Sequence, residues 1–382
     1  MPAEPFYRKV NELLTAAGIT IDGPAPWDIR IHDDRLYARV MAGGSLALGE
    51  AYMDGWWDCP HLDEFFTRVL RARLDTKVRS RTWLWAALRA RLLNMQSIGR
   101  TRSHIRRHYD LGNNLYRNML DRRMIYSCGY WSGARDLDEA QENKLELVAR
   151  KLQLAPGMRV LDIGCGWGGA ARYMAEKHNV EVVGITVSHR QVELAREICA
   201  GLPVEIRLQD YRELEGTFDR IYSLGMFEHV GYRNYRTFMR VVKRLLHRDG
   251  LFLLHTIGGN TSVRRTDAWI DRYIFPGSML PSAAYITTAA EGLFVLEDWH
   301  CFGPDYDRTL MQWHANFNAH WDELKQEYDE RFRRLWNYYL LSCAGSFRAR
   351  KNQVWQVMLS ARGIEGGYRR PRLEKAARAM AE

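Results

Sequence analysis

Residues 160–169, V-L-D-I-G-C-G-W-G-G, constrain this chain more than any other stretch. Val160, Leu161 and Ile163 form an apolar run of the length of a buried strand. Gly164, Gly166, Gly168 and Gly169 follow at a turn, and residues 170–177 read as a helix. A strand, a glycine turn and a helix in that order mark a nucleotide-type site. The backbone has to bend with positive φ and bring N–H groups close to a ligand, where a Cβ would obstruct. The spacing Gly164-x-Gly166-x-x-Gly169 also satisfies the dinucleotide fingerprint, so NAD or FAD is one reading and a purely structural turn another. Two details favour S-adenosylmethionine (SAM). Asp162 stands two residues before the first glycine, suited to an ammonium and ill suited to an adjacent pyrophosphate. The next strand, 180–185, leads to Thr186 and Ser188, where a dinucleotide fold needs an acid for the ribose.

Downstream, strand-like and helix-like runs alternate: helix 188–199, strand 204–208, strand 219–224, helix 234–246 and strand 250–255. This series predicts an α/β fold with a doubly wound, mainly parallel sheet and ligands at the carboxyl ends of its strands. Asp210 and Tyr211 follow the third strand, placed to accept from an adenine amino group and to flank its ring, or else merely to cap a loop. Glu228 and His229 follow the fourth. A carboxylate adjoining a histidine there orients a base or tunes it, unless it only starts a helix. His255, at the end of strand 250–255, adds a second imidazole to the same rim. The sequence has no N/D-P-P-Y/F after the fourth strand, which argues against methylation of base amino groups, and no Ser-His-Asp elbow, H-E-x-x-H or P-loop lysine. Aromatic residues supply the cleft instead, among them Tyr126, Tyr130, Trp131, Phe227, Phe275, Trp299 and Tyr306, although core packing accounts for most of them.

The 382 residues suffice for one large or two modest domains, and 46% hydrophobic content is ample for a packed core. Six cysteines without a C-x-x-C pair suggest neither a disulfide framework nor a zinc site, and no metal is expected. With no apolar run near the ~18 residues of a membrane span and no secretory signal, the reading is cytoplasmic. A net charge of +9 implies an anionic partner. Its position is informative: residues 68–107 hold twelve Lys or Arg against one acid, Asp75, interleaved with Trp83, Trp85, Leu84, Leu88, Leu92 and Met95. A basic amphipathic helix of this kind favours an anionic phospholipid surface, at about 1 kcal/mol per engaged cation, over a solvated linker or nucleic acid. Residues 6–17 read as a core helix. In the glycine-rich stretch 43–57, Trp56 and Trp57 are either anchors of a helical domain or a grip on lipid. The division expected is a smaller, mainly helical lipid-engaging domain over 1–92, a basic linker over 93–107 and a catalytic domain over 108–382.

Taken together, H-Y-D-L-G-N at His108, Y-S-C-G-Y-W at Tyr126, the glycine stretch, G-M-F-E-H-V-G at Gly225, L-L-H-T-I-G at Leu253, P-D-Y-D-R-T-L at Pro304 and S-C-A-G-S-F-R-A-R at Ser342 resemble the cyclopropane-fatty-acyl-phospholipid synthases. They resemble the mycolic acid cyclopropane synthases more distantly. G-S-L-A-L-G-E-A-Y-M-D-G-W-W extends the resemblance to the N-terminal region. It implies a class I SAM-dependent methyltransferase fold and transfer of a methylene group from SAM to the cis double bond of an unsaturated phospholipid acyl chain. The alkene attacks the methyl, and a base, bound bicarbonate in this family, removes a proton from the resulting carbocation so that the ring closes. Carried over by motif, Cys128, Glu228, His255, the backbone at Ile257, and Tyr306 hold the bicarbonate, and Cys343 is a further active-site cysteine, although a thiol nucleophile has no step in this chemistry. Tyr109, Asp110, Asp162, Gly164, Gly166, Thr186, Ser188, Gln191, Asp210 and Tyr211 contact SAM. The implied setting is a homodimer, peripheral on the inner face of the cytoplasmic membrane, with no nucleic-acid partner. The alternatives are a lipid C-methyltransferase giving branched chains and, in a different class, an RNA-binding SAM-fold protein.

Overall fold

A computed structural model describes residues 4–77, 112–371 and 373. Tyr109, Asp110, the tryptophan-bearing part of the basic segment and both expected domain boundaries lie outside the described residues.

The chain opens with helix α1 (Glu4–Ala16), then β1 (Arg30–Ile31), α2 (Arg35–Met53) and β2 (Trp57–Asp58), the two short strands pairing antiparallel. Helices α3 (Leu62–Arg71) and α4 (Leu74–Lys77) follow, and α5 (Asn113–Met119) and α6 (Leu137–Lys151) lead into the main sheet. There, β3 (Arg159–Ile163), α7 (Gly169–His178), β4 (Glu181–Thr186), α8 (His189–Ile198), β5 (Val204–Leu208), β6 (Phe218–Leu224), α9 (Tyr235–Leu245) and β7 (Leu246–Gly259) reproduce the expected alternation within a few residues. The remainder is α10 (Ala268–Tyr273), α11 (Ala283–Ala290), β8 (Val295–Cys301), α12 (Pro304–Ala319), α13 (Trp321–Leu324), α14 (Glu330–Arg348) and β9 (Asn352–Ser360).

The sheet order is β5-β4-β3-β6-β7-β9-β8. Strands β3 to β7 pair parallel with one another, and β9 runs antiparallel to both β7 and β8. The chain winds one way from β3 through β4 to β5 and then returns to add β6 on the opposite side, so the carboxyl ends of β3 and β6 part at a switch point. The antiparallel end was not legible in the alternation, and it changes β7. Pairing of Gly258 with Gln353 extends that strand to Gly259, so His255 lies inside a ladder and not at a strand end. Its expected level is kept, because it stands opposite Leu224, the last residue of β6.

The first helices do not form a core of their own. Phe65, Phe66, Trp57 and Tyr52 share one buried cluster with Trp269, Trp336, Tyr338 and Phe347. The Tyr338 ring lies 5.2 Å from Phe66 and 4.5 Å from Trp269. Arg348 joins this contact, donating to the Asp63 carboxylate at 2.5 Å and to both oxygens of Asp307 at 2.9 Å. Trp57 is fully buried with its indole N–H on the Leu48 carbonyl, and Trp56 lies under the guanidinium groups of Arg35 and Arg39. Trp57 is therefore a core anchor, which decides between the two readings of that ring.

Helix α14 approaches α3 closely at Gly345, where an added Cβ would stand 2.5 Å from the Asp63 carbonyl oxygen and 2.7 Å from Phe66 Cβ. Backbone cannot yield there as a side-chain tip would. Gly345→Ala is therefore expected to destabilise the chain by about 1–3 kcal/mol, the usual range for overpacking, measured as a lower urea midpoint.

Candidate active site

The parted ends of β3 and β6, with those of β4 and β5, frame a cleft lined by Asp162, Gly164, Gly166, Thr186, Gln191, Asp210 and Tyr211. Gly164 and Gly166 adopt φ of 90° and 55°. A Cβ on Gly164 would meet Met226 at 2.7 Å, whereas the space beside Gly166 is open. The loop is thus tight on its inner side and clear where a ligand lies. Asp162 is buried, and its Oδ2 has no hydrogen-bond partner among the described residues. Burial pushes its carboxyl up to about 7 against the opposing influence of Tyr222 and Lys144. Thr186 donates to the Gln191 carboxamide oxygen at 2.7 Å, fixing both at the end of β4. Ser188 does not line the cleft; its hydroxyl caps α8 by accepting from the Gln191 N–H. Asp210 accepts from the Arg212 guanidinium at 2.8 and 2.7 Å, so its carboxylate is already oriented at the rim.

Glu228, His255, Cys128, Ile257, Tyr306 and Cys343 do not line this cleft. Glu228, His255, Cys128 and Tyr306 are buried, and Ile257 and Cys343 half-buried. From the 3-10 turn after β6, Glu228 Oε1 accepts the Ile257 N–H at 2.7 Å, joining two strand ends, while its buried Oε2 has no partner among the described residues. Across the β7–β9 ladder, Gln356 Nε2 lies 3.3 Å from His255 Nδ1, and Gln356 Oε1 is also buried without a partner among those residues. The Cys128 segment is tied to α12 by Gly129 N–H donating to Thr309 Oγ1 at 3.1 Å and the Trp131 indole donating to the same oxygen at 2.9 Å. Tyr306 starts that helix, its ring 4.8 Å from Phe347 and 5.8 Å from Trp313. Trp313 stands 5.1 Å from Tyr126, which lines the donor cleft, so an aromatic wall joins the two regions. Phe227 and Trp299 are elsewhere: Phe227 stacks on Tyr235 and Trp299 meets Trp355 edge-on, in a separate core cluster. That corrects their assignment to the cleft.

Burial dominates the electrostatics. It raises Glu228 to about 7 against the Ile257 N–H, drives His255 well below the ordinary imidazole value with help from Lys144 and Lys151, and lifts Cys128 far up. At neutral pH the imidazole and thiol are therefore uncharged, and Glu228 is poised between its two forms. Cys343 is pushed up to about 12, chiefly by burial, which leaves it a thiol and a poor nucleophile. Reading the sequence missed Gln141, Lys144 and Gln356. A charged helix and a polar strand position carry no mark of burial until their packing is known.

Residues 96–357 match the family model for mycolic acid cyclopropane synthetase. The chain belongs to that family. It is 53% identical to the cyclopropane-fatty-acyl-phospholipid synthase of Escherichia coli (strain K12), over 97% of each chain. It is also 32% identical to the tuberculostearic acid methyltransferase UfaA1 of Mycobacterium tuberculosis, covering 91% of this chain and 86% of that one. Among solved structures, mycolic acid cyclopropane synthase CmaA1, crystallised with SAH and CTAB, superposes with a TM-score of 0.63 at 33% identity, over 68% of this chain and 97% of the other. The architecture is accordingly the class I SAM-dependent methyltransferase fold, with one reversed strand, β9, between β7 and the edge strand β8.

Glu228 carries a stability signature. Its carboxyl titrates near 4.5 when unfolded and at about 7 when folded, so in that window the folded chain holds a proton the unfolded chain has released. Stability contributed by this group then falls as pH rises through the window. Glu228→Gln is expected to be about as stable as the parent near pH ~4.5 and more stable at pH ~8, by up to about 3 kcal/mol, checked by urea unfolding at both values.

Proposed function

We propose that this SAM-dependent methyltransferase transfers a methylene group to the cis double bond of unsaturated acyl chains in membrane phospholipids and closes a cyclopropane ring. The observation that carries the reading is the pair of buried oxygens without a partner among the described residues, Glu228 Oε2 and Gln356 Oε1, the second on a side chain that meets an imidazole held neutral, with aromatic rings running from this region to the donor cleft. That set fits a small hydrogen-bonding base such as bicarbonate: Glu228 accepts or shares its proton, His255 contributes a neutral ring nitrogen, and Cys128, Tyr306 and the Ile257 backbone complete the chamber. When bound, SAM supplies an electrophilic methyl and bicarbonate the base for the transferred carbon.

The chain's own residues order the rest. Asp162 offers its carboxyl group to the donor's ammonium, Gly164 and Gly166 leave room for the backbone to approach it, Thr186, Gln191 and the Ser188 cap set the end of β4, and Asp210 and Tyr211 receive the adenine. Tyr109 and Asp110 are assigned to the same ligand by motif. Around the acyl chain, Tyr126, Trp313 and Tyr306 exclude water, which would trap the cation as an alcohol, and a ring face near a buried cation contributes about 2 kcal/mol. Cys343 takes no chemical step.

Methyl branching is the second reading, favoured by the likeness to UfaA1, whose name describes a methyltransferase. The two differ in where the proton leaves, and mass spectrometry of lipid extracts separates them: a gain of one CH₂ that survives hydrogenation is a ring. With vesicles of unsaturated phospholipid and SAM, Glu228→Gln is expected to lose product by at least ~100-fold while calorimetry shows SAM binding retained. Normal turnover in that variant would overturn the assignment of the base.

The partner surface proposed is an anionic membrane at the inner face of the cytoplasmic membrane, engaged peripherally by the basic segment 68–107 of a homodimer. No helix among the described residues is long and apolar enough to cross a membrane. Sedimentation with anionic vesicles is expected to weaken steeply between low and high salt, and salt-independent binding would count against the electrostatic role.

A further inference from the structure

Lys144 stands in the second turn of α6 with its side chain fully buried, an expensive place for an ammonium unless its charge is used. Its Nζ donates to Ser127 Oγ at 2.8 Å. One turn earlier on the same face, Gln141 donates to the Ser127 carbonyl at 2.8 Å and reaches the Ile125 carbonyl at 3.4 Å. One helix face thus clamps both the side chain and the backbone of Ser127. Ser127 in turn lines the donor cleft together with Asp162 and Gly225. Burial lowers the Lys144 ammonium to about 8, opposed by the nearby carboxyl groups of Asp121 and Asp162, so at neutral pH it remains a protonated donor.

The direction of the hydrogen bond has a chemical consequence. An ammonium only donates, so the Ser127 oxygen accepts from Lys144, and the serine's own proton remains for an acceptor in the cleft. The cleft also has a polarity. Asp210 and Tyr211 follow β5, three strands from β6, a separation of ~14 Å at ~4.8 Å per strand. Ser127 lies at the β3–β6 side with Asp162 and Gly225, where the amino-acid end of the donor falls if adenine lies over Asp210 and Tyr211.

We propose that Lys144 is a positioning residue for donor recognition: by donating to one lone pair of the Ser127 oxygen, it turns the serine's own proton toward the carboxylate of the bound donor. The inference rests on the reading of the cleft as a SAM site, and it assigns a task to a buried cation outside the cleft lining. It does not depend on which acyl product is formed.

The test compares two ligands by calorimetry on the full chain: S-adenosylhomocysteine, which carries the amino-acid end, and 5′-methylthioadenosine, which lacks it. Lys144→Met is expected to weaken S-adenosylhomocysteine by about ten- to a hundred-fold, the worth of one charge-assisted hydrogen bond, and to leave methylthioadenosine within about three-fold. Ser127→Ala, a small change that keeps the fold, should show the same selective loss, and the double variant should be no worse than either single one. Equal weakening of both ligands would mean that Lys144 only supports the fold and would overturn the proposal, as would unchanged S-adenosylhomocysteine binding in Ser127→Ala. A parent chain that binds neither ligand would overturn the SAM reading and this inference with it. A chain that binds both but makes no cyclopropane would overturn only the proposed product.

Discussion

The parting of the chain on either side of β3 is the constraint on which the rest of this structure depends. Because β4 is laid on one side and β6 on the other, the connections leaving β3 and β6 diverge and open a cleft that no local sequence preference has to build. The glycine loop then needs only to stay thin. Gly164 is packed tightly against Met226 while the space at Gly166 remains clear, and Asp162 lines the same cleft. Residues from β4 and β5 reach that space only because parallel pairing brings their carboxyl ends level with β3.

The second consequence is electrostatic. Burial moves two carboxyl groups, Asp162 and Glu228, up to about 7, and moves one imidazole down. Each shift has the same origin, removal of water from a group that keeps few partners, and together they mark a water-poor interior in which His255 is neutral and Glu228 only partly ionised. Such a region suits chemistry in which a cationic carbon must lose a proton without meeting water. The antiparallel strand β9 is essential to it. By pairing with β7 beyond His255 it supplies Gln356 and carries Ile257 to a position where its N–H meets Glu228.

The N-terminal helices extend the same logic. They bury Trp57, Phe65 and Phe66 against α14, and Tyr273 of α10 donates to Glu50 of α2 at 2.9 Å. The segment carrying Phe275, whose ring stands near both Tyr126 and His229, is therefore held from two sides. Packing of the first helices and placement of the aromatic wall are one structural problem, which links the membrane-facing half of the proposed function to the chemical half.

Much of this was legible in the residues. The strand-glycine-helix order, the alternation from 180 to 255 and the carboxylate at Asp162 each follow from local rules, because the period of hydrophobicity and the φ requirement of a turn act over a few residues. The motif resemblance named Glu228, His255 and Cys128 on the same footing. What remained hidden depended on neighbours distant in sequence. The reversed strand β9, the burial of Trp57, the removal of Phe227 and Trp299 to another core, and the capping role of Ser188 are all decided by which surfaces meet. Lys144 shows the reason most plainly. In the sequence it is one charge among many on a helix, and it becomes a specific donor to Ser127 only when tertiary packing removes water from around it and leaves that hydroxyl within reach.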